Sequence, residues 1–169
     1  QVTGQPITPA QVRTWDSESL VQSVKLRSAE DARQIRRGMC PECGAHLSAD
    51  VVAVPESPLP DADSFVVMST CEECLREYNS PLTYSVVYHP ASIAFHWDRG
   101  VDVTARGIWE FHAHVYEGRW TSDQTASDPE EYEVVLRHGD DAVRLYLDST
   151  ATVVRTERVR GESGEFRHS

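Results

Sequence analysis

Cys40-Pro41-Glu42-Cys43-Gly44 and Cys71-Glu72-Glu73-Cys74 contain all four cysteines of the 169-residue chain. They form two Cys-x2-Cys pairs separated by residues 44–70. A Cys-x2-Cys turn presents two thiolates on one side of a tight knuckle. Two such knuckles facing each other make a closed tetrahedral S4 shell of the kind Zn2+ takes in structural sites. A metal held by Cys40, Cys43, Cys71 and Cys74 has no open position for a catalytic water, so one structural Zn2+ that organises the fold is expected, and an enzyme is not.

The spacer is longer than the roughly 15 to 20 residues of the commonest pattern and leaves room for an inserted hairpin. Pro41 and Gly44 suit the first knuckle, which needs one fixed and one permissive backbone position. In the second knuckle Leu75 stands where a glycine is expected. Two disulfides, or a redox-active thiol pair, are the competing readings of four cysteines. His46 is the one nearby substitute ligand, and with four thiols present it reads as an exposed polar side chain.

The formal charge is -11, with 27 acidic against 16 basic residues, and Lys25 is the sole lysine. Surplus Asp and Glu with scarce lysine resembles proteins adapted to high salt, where screening suppresses acidic self-repulsion. No Lys or Arg lies between Gly38 and Leu75, a stretch that holds Glu42, Asp50, Glu56, Asp61, Asp63, Glu72 and Glu73. A ribbon that gripped phosphates needs the opposite sign. Positive charge collects in Lys25, Arg27, Arg33, Arg36 and Arg37, and again in Arg155, Arg158, Arg160 and Arg167, both read as solvated faces interleaved with carboxylates. No apolar run reaches transmembrane length and no signal peptide is evident, so a cytoplasmic protein is expected. A chain that begins with Gln1 suggests a fragment with domains missing upstream.

Coarse patterning gives an α+β chain: a zinc ribbon followed by a helix and a four-stranded antiparallel β-meander. Residues 1–16 read as a linker, 17–38 as a helical lead-in, 39–89 as the ribbon, 90–160 as helix plus meander, and 161–169 as a disordered tail. The lead-in divides into helices over 17–23 and 28–37, the second capped by Ser28 and stopped by Gly38. Residues 50–54 and 64–69 read as ribbon strands joined by a loop through Pro55, Pro58 and Pro60, with 82–88 a third candidate. Pro90 opens a helix to Arg99 that places Ile93, Ala94 and Trp97 on one face. From Ile108 the period becomes two, with Trp109, Phe111, Ala113 and Val115 facing one way and Glu110, His112, His114 and Tyr116 the other. Strands over 132–137, 142–147 and 151–159 complete the meander. Trp109, Phe111 and Trp97 are then the expected core, and apolar area left uncovered on the sheet would mark an interface for a second copy or another domain.

Other constellations are weak. A His112-x-His114 pair on one strand face, with Glu110 beside it and His96 or Glu117 as completions, could chelate a metal or serve an enzyme, but an exposed polar face explains the same alternation. There is no nucleophile elbow and no phosphate-cradling glycine loop.

The succession Cys40-Pro-Glu-Cys-Gly44, Cys71-x2-Cys74, His89-Pro-Ala-Ser-Ile-Ala-Phe95, Asp98-Arg-Gly-Val-Asp102, Trp109-Glu110 and the Val153-Val-x-Thr-Glu-Arg158 ending resembles the carboxy-terminal zinc-ribbon and β-sheet domain of haloarchaeal ArsR-like winged-helix transcription regulators. The resemblance spans roughly residues 17–160. It implies a regulator whose DNA-reading winged helix lies upstream, with this chain as an effector, dimerisation or partner-docking domain that meets DNA only through that upstream domain. A homodimer or an intramolecular domain partner is implied, and no membrane. The alternative is a stand-alone zinc-ribbon interaction module with no DNA role.

Overall fold

The computed structural model describes residues 7–54 and 64–161. The chain opens on α1 (Pro9–Thr14), capped by Thr8, where a linker was expected. It continues into α2 (Ser17–Arg36), a single helix in place of two. No Gly or Pro interrupts 17–36, and the Asp16 carboxylate caps the helix by accepting the Ser19 N–H at 2.8 Å. The hydrogen-bond ladder therefore runs through Ser28, which is buried in mid-helix rather than capping a second helix. The C-terminal half of α2 turns Ala29, Ala32 and Ile35 toward the body. Gly38 follows the helix at φ +72, the left-handed conformation that glycine adopts freely.

Two antiparallel sheets make up the rest. Strands β1 (Leu47–Ala53), β2 (Phe65–Cys71) and β3 (Glu77–Pro81) lie side by side in that order. The two expected ribbon strands are present, while the proline-bearing connection through Pro55, Pro58 and Pro60 lies outside the described residues. The third expected strand is not one: Leu82–Ser85 is a helical turn, α3, and the third strand precedes it. Residues 82–88 are apolar without periodicity, a pattern that a buried helical turn satisfies as well as a strand does. Here Leu82, Thr83 and Tyr84 are buried.

The four-stranded meander exists, in the order β4 (Trp120–Ser127), β5 (Glu130–His138), β6 (Asp141–Asp148) and β7 (Val153–Val159). Its first strand is not the one expected. Ile108–Phe111 is a 3-10 turn and His112–Tyr116 a short helix, α5. The alternation over 108–116 also contains the helical series Ile108, Phe111, Val115, and local signals favour that series. The Glu110 carboxylate caps the Gly107 N–H at 2.6 Å, and Gly118 at φ +66 ends the element. A Cβ at Gly107 would sit 2.5 Å from the Trp109 ring, so a larger residue there requires the ring to move.

Along β5 and β6 the inner face of the meander carries Tyr132, Val134, Leu136, Val143, Leu145 and Leu147, all buried. That face is covered. α4 (Pro90–Trp97) contributes Phe95, α5 contributes Val115, and Leu82, Val86, Val87 and Phe111 join them in one continuous core that reaches Val51 and Val67 of the first sheet. Trp97, expected inside, is 64% exposed, because α4 buries the stripe Ser92, Phe95, His96 rather than Ile93, Ala94, Trp97. On the outer face the Arg155 guanidinium lies 3.5 Å from the Tyr146 ring centroid and Arg144 pairs with Glu133, so charged side chains shield the remaining apolar atoms. Val154 of β7 is exposed on the meander, and further exposed apolar residues, Ile7, Val12, Trp15, Val21 and Leu26, lie on or beside α1 and α2. Beyond Gly161 the tail lies outside the described residues.

Trp120 is the centre of the core. It is fully buried, stacked on Phe111 at 5.1 Å and on His114 at 4.8 Å, with His96 edge-on at 5.6 Å. Replacing Trp120 with Ala should cost about 3–5 kcal/mol in urea denaturation. Trp97→Ala should stay within about 0.5 kcal/mol, as at other surface positions.

Burial holds His96 and His114 below their ordinary pKa of 6.5, His114 down to about 4, with Arg119, His96 and Arg106 adding repulsion at His114. Above pH 6.5 neither the folded nor the unfolded chain is protonated at these sites. As pH falls below 6.5 the unfolded chain takes up protons that the folded chain refuses, so stability should fall between pH 6.5 and about 4. Asp102 and Asp141, held below 3.8 by hydrogen bonds from Thr104 and Arg99, add their loss only at still lower pH. Urea midpoints from pH 7.5 to 4.5 check this, and His114→Phe, which preserves the stack on Trp120, should flatten the slope.

Candidate metal centre

The two knuckles are built alike. In the first, Cys40 N–H donates to Ala45 O at 2.8 Å and Gly44 N–H to Cys40 O at 2.9 Å; in the second, Cys71 N–H donates to Arg76 O at 2.9 Å and Leu75 N–H to Cys71 O at 3.2 Å. This geometry requires a left-handed residue after the second cysteine. Gly44 supplies it at φ +77, and Leu75 adopts it at φ +57, a conformation that costs a non-glycine residue about 1–2 kcal/mol. The side chain of Leu75 is exposed and meets no obstacle to that conformation in the core.

The sheet brings the knuckles face to face. Leu47, just past the first knuckle, pairs with Cys71, and the Glu72 N–H donates across to His46 O at 3.3 Å. The four Sγ atoms lie within 4.8 Å of one another, with Cys40–Cys74 at 3.7 Å and Cys43–Cys71 at 3.5 Å. All four are free thiols, since a disulfide requires about 2.05 Å. The set could hold one metal ion. Four thiolates this close repel one another, and a divalent cation offsets that charge where no Lys or Arg is supplied by residues 39–75.

The centre is asymmetric toward solvent. Cys40 and Cys71 are buried with Leu47 against Ile35 and Ala45, whereas Cys43 and Cys74 are exposed. Tyr78 on β3 places its hydroxyl 3.3 Å from Cys40 Sγ. That bond holds the Cys40 thiol down at about 6, while burial and then the same bond push the Tyr78 phenol up. Sequence reading missed Tyr78, although its place four residues after Cys74, in a segment that returns along the ribbon, was the available signal. His46 is exposed and its Nδ1 lies 3.1 Å from the Glu72 carboxylate, outside the sulfur cluster.

The second constellation is dispersed. With 112–116 helical, residues two apart point to opposite sides. His112 Nδ1 meets the Tyr84 hydroxyl, His114 stacks on Trp120, Glu110 pairs with Lys25 at 3.0 Å, Glu117 pairs with Arg119, and His96 Nδ1 donates to Ser92 O at 2.8 Å. Among the described residues the four cysteines are the one cluster of three or more potential metal ligands. The basic lead-in also divides. Arg33 pairs with Glu30 and lies 5.3 Å from the Tyr88 ring centroid, while Arg36 turns into a cleft of about 1000 Å³ between α2 and the first sheet.

Fold and site together define an α+β protein with a four-cysteine cluster beside its smaller sheet that could hold a metal ion. The chain matches, over residues 1–153, a family described as a domain of unknown function, DUF7351, and belongs to it. No curated protein and no solved structure matches the chain. No helix among the described residues is long and apolar enough to cross a membrane.

Cys43→Ser should abolish stoichiometric metal binding and lower the thermal midpoint, because a structural metal contributes folding free energy directly. Metal analysis and a melt with and without chelator check it. Leu75→Gly relieves about 1–2 kcal/mol of left-handed strain and adds about 0.5–1 kcal/mol of backbone entropy to the unfolded chain, so it should stabilise by up to about 1 kcal/mol in urea denaturation.

Proposed function

We propose that Cys40, Cys43, Cys71 and Cys74 hold one structural Zn2+, forming a zinc ribbon, and that the chain is the effector, dimerisation or partner-docking domain of a transcription regulator whose winged helix is a separate, upstream domain. A tetrahedral site with Zn–S near 2.3 Å sets sulfur separations of about 3.8 Å, and the 3.7 Å and 3.5 Å separations lie close to it. The closed sulfur shell gives the metal a structural role. The observation that carries the reading is the union of that shell with a ribbon free of Lys and Arg from Gly38 to Leu75. Such a surface is built to meet protein rather than phosphate. The succession of motifs shared with haloarchaeal ArsR-like regulators supplies the rest of the assignment.

Metal analysis of the reduced chain should return one zinc per molecule. Fluorescence anisotropy with labelled duplex DNA separates the functional claims: the zinc-loaded chain should show no saturable binding at low salt, and the complete gene product should bind. Tight binding by the chain alone, with a steep negative salt slope, would move the DNA contact to Arg33 and Arg37. A complete gene product that ignores DNA would overturn the regulator assignment and leave an interaction module.

A further inference from the structure

The cleft between α2 and the first sheet is a groove open to solvent along its rim and buried at its floor. The helix sets Ala32 against it, the sheet sets Ala49 and Ser69, and the turn before β7 sets Ala151, where larger side chains would close the layer. The resulting space of about 1000 Å³ lies at the upper end of the range that small-molecule sites occupy. Its deeper wall is apolar and well buried, with Leu47 at 3% and Val67 at 6% exposure.

Arg36 is the unusual member of this lining. Its Nε is wholly enclosed and has no hydrogen-bond partner, and Arg36 enters none of the ion pairs among the described residues. The adjacent cation is Arg37, which repels it, and burial acts in the same direction to depress the guanidinium pKa. A half-buried guanidinium without an anion carries an unrecovered desolvation cost, and a carboxylate answers it with paired charge-assisted hydrogen bonds. Asp31, Glu42, Asp50 and Glu77 line the cleft beside Arg37 and Arg76, so the lining as a whole has no surplus of positive charge to hold a polyanion. One negative charge on an apolar body fits this combination; a polyanion does not.

We propose that this cleft binds a small organic monocarboxylate, its carboxylate held by Arg36 and its apolar portion lying against Ile35, Leu47 and Val67. The assignment stands on the cleft and the unpaired arginine and does not depend on the regulatory role.

The test is an amide-resolved NMR titration of the zinc-loaded chain with phenylacetate, phenylacetamide and phenyl phosphate at constant salt. Phenylacetate should give saturable shifts at Ile35, Ala49 and Ser69. Phenylacetamide should bind about tenfold more weakly or worse, the scale of one lost charge-assisted hydrogen bond, and Arg36→Gln should weaken phenylacetate by a similar factor. Ala49→Leu fills the cleft without touching Arg36 and should also abolish binding, so it decides the matter if Arg36→Gln does not fold. Absence of saturable phenylacetate binding at millimolar concentration overturns the proposal, as do equal affinities for the acid and the amide, unchanged affinity in a folded Arg36→Gln or Ala49→Leu variant, or shifts confined to another surface. Tighter binding of phenyl phosphate than of phenylacetate overturns the monocarboxylate class.

Discussion

The pairing of Leu47 with Cys71 is the constraint on which the smaller half of the molecule depends. It places the two knuckles opposite each other, sets Cys40 and Cys71 under Ile35, Ala45 and Tyr78, and gathers four sulfurs within 4.8 Å. A shift by one residue would send Leu47 and Val51 to the outer face and separate the knuckles. The sulfur cluster and the strand register therefore specify each other. An ion held by the four sulfurs would tie the two knuckles together and so reinforce this register.

The larger sheet is organised by apolar packing. Its inner face is a dense apolar layer centred on Trp120, Leu136 and Leu145, covered by α3, α4 and α5. The two halves are joined physically: Val51 N–H donates to Ser149 O at 2.8 Å, Phe65 packs edge-on against Tyr132 at 5.2 Å, and a single core runs through both. α2 closes the assembly from one side through Ala29 and Ala32, and it is on that side that small residues leave the cleft.

Charge is arranged to match. Lys25, Arg33, Arg99, Arg144 and Arg158 each have a carboxylate partner, with the Arg99 and Arg144 pairs fixing α4 to β6 and β5 to β6. Most of these pairs are partly exposed and contribute little individually to stability. Arg36 differs because it is half-buried in the cleft and its Nε lacks a partner.

Much of this was legible in the linear chain. The gathering of Cys40, Cys43, Cys71 and Cys74 follows from Cys-x2-Cys spacing, because each pair is local and two such pairs suit one shared site. The antiparallel hairpins 132–137 with 142–147, and 50–54 with 64–69, follow from runs of β-branched residues between turn signals, and the helix at Pro90 follows from a proline suited to its first turn. Over 108–116 helical and strand periods both fit; the Glu110 cap and Gly118 favour the helix locally, and the burial of Phe111 on Trp120 and of Val115 in the core agrees with it. In α4 the stripe Ile93, Ala94, Trp97 is the more apolar one, and only the position of the sheet decided that Ser92, Phe95 and His96 would be inside and Trp97 outside. The same holds for the basic residues at 25–37: the five look equivalent in sequence, and their surroundings in three dimensions distinguish Lys25 and Arg33, each paired with a carboxylate, from Arg36, half-buried with its Nε unpartnered. Local spacing dictates what neighbouring residues can form together, but burial is a property of what packs against them, and only the folded chain supplies that.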